Sequence, residues 1–188
     1  MIKKLIIKAY LYSRKVVYSR FSNNKKVVGK YMEYQPVVLK GEGEINFGEH
    51  VSFGVINSPF YLNSYCYIEA RSKKASIFFG NNIHINNAVS IVSEKKIIIK
   101  DNVLIGHSCT IMDSNFHDLT ANNRTSTDPD PQEVIIGRNV FIGNKVTVLK
   151  GVVLGENTVV AACSVVTKSF PSNVVIGGNP AKIINTLA

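Results

Sequence analysis

Residues 136–171 read IGRNVF, IGNKVT, VLKGVV, LGENTV, VAACSV and VTKSFP, a six-residue beat that never slips in frame. The first position of each unit is aliphatic, from Ile136 to Val166. Because residues two apart on a strand share a face, the fifth residue of one unit and the first of the next both point inward. An α-helix needs a 3.6-residue period and disfavours this glycine and β-branched content. The stretch predicts an all-β solenoid in which each unit is one short strand and one turn.

The turns of this repeat carry small and polar residues. Glycines such as Gly143 follow the aliphatic residue, and asparagines such as Asn139 fill nearby positions. We expect both residue types to supply the unusual backbone angles of tight corners.

The same beat is present earlier in the chain. It recurs at Phe79, Ile85 and Ile91 and, in another phase, at Ile99, Ile105 and Ile111. Residues 92–98 must therefore adjust the register, and weaker units suggest that the solenoid starts near residue 45. We divide the chain into an N-terminal arm, residues 1–40, and a solenoid domain, residues 41–188.

The largest interruption is residues 112–133, MDSNFHDLTANNRTSTDPDPQE, a polar stretch between two regular runs. We expect a loop expelled from the coil. Long loops in compact domains are usually functional or disordered, and this one contains His117.

Charge is concentrated at the N-terminus. The net charge is +9, and residues 1–30 hold nine basic side chains and no acidic one, which leaves 22 − 9 = 13 basic against 13 acidic residues in the remainder. A neutral body without a basic stripe argues against nucleic-acid binding.

Targeting signals and cysteines bear on the compartment. No apolar run reaches the ~20 residues that span a bilayer, and Lys8 interrupts the first apolar stretch too early for a secretory leader. The cysteines are three, and we place Cys109 and Cys163 inside the repeat as core residues of a reducing compartment. We therefore expect a cytoplasmic protein.

The arm also has a helical pattern. Apolar residues at roughly helical spacing alternate with basic ones over residues 1–30. Such a basic amphipathic helix either lies on an anionic membrane at its inner, cytoplasmic face or packs against the end or side of the solenoid. Both interpretations stay open.

The residues also resemble a known family. KDNVLIGHSCTI, the loop with His117 and the closing VVTKSFPSNVVIGGNPAK segment are similar to those of the hexapeptide-repeat acetyltransferases, specifically the galactoside, maltose and nodulation-factor group and the O-acetyltransferases of surface polysaccharides. The match covers residues 79–184. The resemblance implies a left-handed parallel β-helix, acetyl-CoA as acyl donor without a catalytic metal, and a homotrimer with active sites between subunits.

It further implies roles for individual residues. His117 would be the general base, since neutral imidazole accepts a proton from a hydroxyl at neutral pH. The backbone N–H of Asn144 would stabilise the oxyanion. Asn86 would help to place the acceptor. Asp113 would bind a sugar hydroxyl or orient His117, unless it caps the loop.

The coenzyme channel would be lined by Ala162, Thr167, Lys168 and Lys182. Lysine suits phosphate as a mobile point charge. Two positions depart from the family pattern: Phe141 stands where many members have tryptophan, and Lys182 where arginine is common. The other histidines, His50, His84 and His107, lie at turn or outward positions and are expected to be solvated.

The predicted function is acetyl-CoA-dependent O-acetylation of a sugar, free or linked to a nucleotide or lipid, in surface polysaccharide biosynthesis such as that of O-antigen or capsule. An amino-sugar acceptor is the nearest alternative. A zinc hydratase shares the solenoid but needs three convergent histidines, whereas His107 and His117 lack the required pairing. A non-catalytic scaffold would not need the His117 loop.

Overall fold

The computed structural model describes residues 2–187, with side chains from Leu5 onward, so that the side chains of Ile2, Lys3 and Lys4 in the basic arm lie outside the described residues. One helix, α1 (Ile2–Ser19), precedes three sheets. Sheet A contains β1 (Val27–Val28), β4 (Glu44–Phe47), β7 (Ser76–Phe79), β10 (Lys96–Ile99), β13 (Val134–Ile136) and β16 (Val153–Leu154). Sheet B contains β2 (Tyr31–Glu33), β5 (Val51–Phe53), β8 (His84–Ile85), β11 (Leu104–Ile105), β14 (Phe141–Ile142), β17 (Val159–Val160), β19 (Val174–Gly178) and β20 (Ala181–Thr186). Sheet C contains β3 (Val37–Gly41), β6 (Cys66–Ala70), β9 (Ser90–Ser93), β12 (Thr110–Met112), β15 (Thr147–Val148) and β18 (Val165–Val166).

Each coil contributes one strand to each sheet, and equivalent strands of successive coils pair in parallel. In sheet B, Ile85 pairs with Ile105, Ile105 with Ile142 and Ile142 with Val160. All four side chains are buried, as the inward positions of the six-residue beat predict. The beat therefore produces a solid apolar interior along the length of the solenoid.

The solenoid starts earlier than we predicted. Strand β1 pairs with β4, β2 with β5, and β3 with β6, so a complete first coil occupies residues 27–41 of the range assigned to the arm. The boundary at residue 41 is wrong: Glu33 stands in this coil at the position that Phe53 and Ile85 occupy in the next two, so the apolar pattern is interrupted there.

The corners owe their shape to asparagine more than to glycine. Positive φ angles occur where sheet A passes to sheet B, at Asn82, Asn102, Asn139, Asn157 and Asn173. The side chain of Asn82 donates to that of Asn102, Asn139 to Asn157, and Asn157 to Asn173 at 2.7 Å. Gly143 has no positive φ. A Cβ there would lie 2.7 Å from the backbone nitrogen of Ala162 in the next coil, so close approach of the coils requires this glycine.

Two insertions leave the coil. The first insertion, residues 54–65, joins β5 to β6, and the second insertion, residues 113–133, joins β12 to β13. The second is the predicted loop, except that Met112 belongs to strand β12.

The two ends and the cysteines complete the fold. The antiparallel pair β19 and β20 follows the last coil, and α1 packs beside β3 and the first insertion. Cys66 and Cys109 are buried, but Cys163 is exposed, because it occupies the outward corner position with φ 62°. Our placement of Cys163 in the core is therefore wrong. Among residues 2–187, no helix is long and apolar enough to cross a membrane.

Candidate active site

Three of the predicted site residues lie along one corner of the solenoid. At this B–C corner each coil passes from sheet B to sheet C, and the strand register aligns Asn87, His107, Asn144 and Ala162 in one row. Asn86 lies at the same corner, one residue before the row. The register therefore places Asn86, Asn144 and Ala162 along the same corner, although Asn86 and Ala162 are 76 residues apart in the sequence.

The backbone N–H groups of this row differ from coil to coil. The N–H of Asn87 donates to the side chain of Asn86, and that of His107 donates to the side chain of Asn144 at 3.0 Å. By contrast, the N–H groups of Asn144 and Ala162 donate to no acceptor within residues 2–187. Within the described residues, these two backbone donors of the corner row thus have no partner.

His117 lies on the second insertion, and its side chain is exposed. Its Nδ1 lies 2.8 Å from the carbonyl oxygen of Arg124. Because a carbonyl oxygen can only accept, this contact requires a proton on Nδ1 of the imidazole. The Nε2 lone pair of the neutral ring is then available to accept a proton.

The base of the second insertion is held by Asp128. Its buried carboxylate accepts hydrogen bonds from the N–H of Asn115 at 2.8 Å and from the ammonium of Lys150 at 2.7 Å. Burial by itself would raise the pKa of Asp128, but these bonds and one from the N–H of Asp130 outweigh it and lower the pKa to about 2. This charged anchor lies at the C–A corner, where each coil passes from sheet C to sheet A.

Asp113 does not line a substrate site. Its fully buried carboxylate accepts the hydroxyl of Ser93 and the backbone N–H groups of Glu94, Lys95 and Lys96, at 2.6 to 2.9 Å. We correct the assignment of Asp113 as a substrate-binding residue: it fixes the corner of the preceding coil and leaves no oxygen facing solvent. Asp113 therefore caps the backbone N–H groups of residues 94–96.

His107 is also corrected. It is 8% exposed rather than solvated, because the first insertion places the ring of Phe60 5.5 Å from its imidazole. Burial, and then the charge of Lys145, lower the pKa of His107. Its position in the row with Asn144 was the available signal; the covering insertion was not visible in the sequence.

The first insertion is fixed by two buried amides that sequence reasoning missed. Gln35 donates to the carbonyl of Phe60, and Asn87 donates to the carbonyls of Val55 and Pro59 and accepts the N–H of Val55. These contacts hold the insertion against the B–C corner, beside the row that contains Asn144.

The remaining predicted coenzyme residues lie elsewhere. Thr167 and Lys168 occupy the C–A corner of the last coil, across sheet C from Ala162, and Lys182 lies on β20; all three side chains are exposed. One chain therefore does not gather the four predicted coenzyme residues into a single cluster. Within residues 2–187, no three His, Cys, Asp or Glu side chains converge as metal ligands.

Comparison with known proteins identifies the family. The family described as "Bacterial transferase hexapeptide (six repeats)" matches residues 133–168. The chain is 34% identical over 157 residues to the putative lipopolysaccharide biosynthesis O-acetyl transferase WbbJ of Escherichia coli (strain K12), covering 79% of this chain and 75% of that protein. The chain belongs to the hexapeptide-repeat acetyltransferases. The galactoside O-acetyltransferase of the same organism is 35% identical over 116 residues, covering 60% of this chain and 55% of that one.

Solved structures of similar fold include two acyltransferases. A galactoside acetyltransferase in complex with coenzyme A gives a TM-score of 0.57 at 24% identity, covering 99% of this chain and 81% of that chain. AntD, an N-acyltransferase from Bacillus cereus in complex with dTDP and 3-hydroxybutyryl-CoA, gives 0.63 at 19%, covering 94% and 88%. The three parallel sheets of this hexapeptide-repeat acetyltransferase thus form the left-handed β-helix that the resemblance implied.

The two departures from the family pattern both lie on the outer surface of this hexapeptide-repeat acetyltransferase. Phe141 projects from sheet B and is about half exposed, next to Leu104 on the neighbouring strand. Lys182 extends from the terminal β20. Neither position contributes to the solenoid interior.

Proposed function

We propose that this protein transfers the acetyl group of acetyl-CoA to a sugar hydroxyl, in the cytoplasm, during biosynthesis of a surface polysaccharide. The observation that carries the proposal is the exposed imidazole of His117, on the large insertion of a hexapeptide-repeat acetyltransferase. Its Nδ1–H donates to the carbonyl oxygen of Arg124, which leaves Nε2 as the basic nitrogen. The similarity to WbbJ supports a polysaccharide acceptor.

The reaction uses two groups, Nε2 of His117 and the backbone N–H of Asn144. Nε2 of His117 accepts the hydroxyl proton as the sugar oxygen attacks the thioester carbonyl carbon. The carbonyl oxygen becomes negatively charged, and the unpaired N–H of Asn144 stabilises it. The carbon–sulfur bond then breaks, and the leaving thiolate takes the proton from the imidazolium. The products are the O-acetyl sugar and free coenzyme A.

Two further groups support acceptor and coenzyme binding. Asn86 uses its Oδ1 to accept the N–H of Asn87, so its amide N–H₂ remains to donate to a sugar oxygen. The free N–H of Ala162, with Thr167, Lys168 and Lys182, would hold acetyl-CoA, the lysines at its phosphates.

We propose a homotrimer in which each site is shared between subunits. The anchor of the His117 insertion lies at the C–A corner, whereas Asn144 and Ala162 lie at the B–C corner, on the other side of sheet C. An apolar strip that includes Leu104 and Phe141 runs down the outside of sheet B and gives a neighbouring subunit a surface to cover.

The test compares two histidine substitutions. We expect His117→Asn to lower the rate of transfer by about 10²–10⁴-fold, because asparagine keeps a donor for Arg124 but has no basic nitrogen. His50→Asn is the control, since His50 is exposed at a corner whose φ of 57° suits asparagine. The assay measures thiol release from acetyl-CoA with a panel of glycosides, nucleotide sugars and amino sugars.

Each result decides something. Retained activity in His117→Asn would refute the base mechanism. If acetyl transfer occurs only with amino sugars, the acceptor group is an amine and not the proposed hydroxyl. Mass measured by light scattering, unchanged in both variants, shows that the assembly is intact.

A further inference from the structure

Helix α1 turns its apolar side chains toward solvent. Leu5 is 69% exposed, Ile6 62% and Tyr12 71%, and Val17 is half exposed. A surface helix of a globular protein normally directs its apolar stripe at the core. The outer face of α1, defined by these four side chains, is therefore uncovered in the single chain.

The opposite face of α1 packs on the protein through Arg14 and Lys15 together with Leu11 and Tyr18. The buried guanidinium of Arg14 donates to the carbonyls of Tyr61 and Ser64, and the ammonium of Lys15 donates to the carbonyl of Glu33. Charge-assisted hydrogen bonds of this kind are stronger than neutral ones. Rotating the helix to bury its apolar face would break them, so the outward direction is fixed.

The first insertion extends this apolar surface. Ile56, Phe60 and Leu62 are each about half exposed, and together with Ile7 they line a groove beside the helix. Contiguous apolar surface on this scale usually marks an interaction site.

The positive charge of the N-terminal segment favours an anionic partner. Lys8 lies on α1 and Arg20 directly after it, and no acidic residue precedes Glu33. A second copy that presents the same helix would bring like charge against this region. An anionic lipid surface supplies both the opposite charge and an apolar layer for the side chains.

We propose that the outer face of α1 and the first insertion dock on an anionic lipid bilayer, lying in its interface. Phe60 of the insertion contacts His107, whose N–H is bound by the side chain of Asn144. Docking thus brings the B–C corner close to the lipid headgroups. The inference does not depend on acetyl transfer, because lipid binding is measured without either substrate.

The experiment is co-sedimentation of the full chain with vesicles of phosphatidylcholine, with and without phosphatidylglycerol. We expect binding to the phosphatidylglycerol vesicles, weakened by salt. Leu5→Gln/Ile6→Gln should weaken it by at least about tenfold, because two apolar side chains leave the interface. Glutamine is a good helix former, so α1 is kept.

The matched control is Ile183→Gln/Ile184→Gln. These residues are another adjacent apolar pair, on β20, and Ile184 has the same exposed fraction as Ile6, 62%. Unchanged vesicle binding is expected for this control.

Three results would overturn the proposal. One is failure of the unaltered protein to bind the phosphatidylglycerol vesicles, and another is equal loss in the control pair. The third is a fall in the mass of the assembly for Leu5→Gln/Ile6→Gln, which would show that the outer face of α1 contacts another copy of the chain.

Discussion

The two insertions are attached to the same solenoid by different chemistry. The first is held by neutral amides, Gln35 and Asn87, both fully buried. The second is held by carboxylates, Asp113 at its start and Asp128 near its end, the latter paired with Lys150. Neutral amides hold their partners equally well at any ordinary pH, whereas a carboxylate holds its donors most strongly while it is ionised.

This difference distinguishes the insertion that lines the candidate site from the insertion that carries its base. The first insertion packs Phe60 on the corner row that contains Asn144. The second carries His117 on an exposed segment, where Arg124 holds its imidazole, and is anchored to the solenoid by Asp113 and Asp128 toward its two ends. The charged anchors should therefore control the position of the segment that carries the base.

The largest expected effect comes from deleting an anchor of each insertion. Asp113→Ala strands three backbone N–H groups in a buried corner and should lower the free energy of unfolding by about 3–5 kcal/mol. Asn87→Ala should lower it by about 1–3 kcal/mol, because its partners are neutral. Denaturant titration measures both. If both variants lose the same free energy of unfolding, the charged and the neutral anchors do not differ in the way we propose.

Acid should loosen only the second insertion. The pKa of Asp128 is about 2, below its ordinary value of 3.8, so its contribution of about 2 kcal/mol is complete above about pH 4 and is lost as the pH falls toward 2. The readout is hydrogen exchange of two amides, corrected for intrinsic rates. Asn115 donates to the Asp128 carboxylate and should lose protection, and Val55 donates to the Asn87 amide and should keep it. Parallel loss at both amides would contradict the prediction.

The regular part of the fold was predictable because its signal is local. In each six-residue unit between Phe79 and Val166, the positions of the aliphatic residues show which side chains face inward. The first coil, residues 27–41, was missed because Glu33 stands where the next two coils have Phe53 and Ile85. The role of Gln35, which is buried and holds the first insertion, was missed for another reason. A buried amide reads as a surface residue until its partner, 25 residues later in the chain, is known.

The candidate site was predictable only where an interruption marked it. The break in the beat located His117, and the unit IGNKVT located Asn144. The roles of Asp113 and His107 depend on neighbours in other coils: three N–H groups meet the carboxylate of Asp113, and Phe60 covers the imidazole of His107. Such contacts arise from stacking, and the six-residue pattern contains no record of them.

The smallest expected effect isolates Lys150 as the reason for the low pKa of Asp128. Lys150→Met should destabilise the protein by about 1 kcal/mol and shift the loss of Asn115 protection to higher pH, because the carboxylate loses its ammonium partner. Lys96→Met is the control: Lys96 pairs with Glu133, the last residue of the same insertion, but this pair is well exposed and should contribute little. Transfer assays add a second readout. If Asp128 and Lys150 position the His117 insertion, Lys150→Met lowers kcat and leaves the KM for acetyl-CoA unchanged, whereas a merely structural pair changes stability alone.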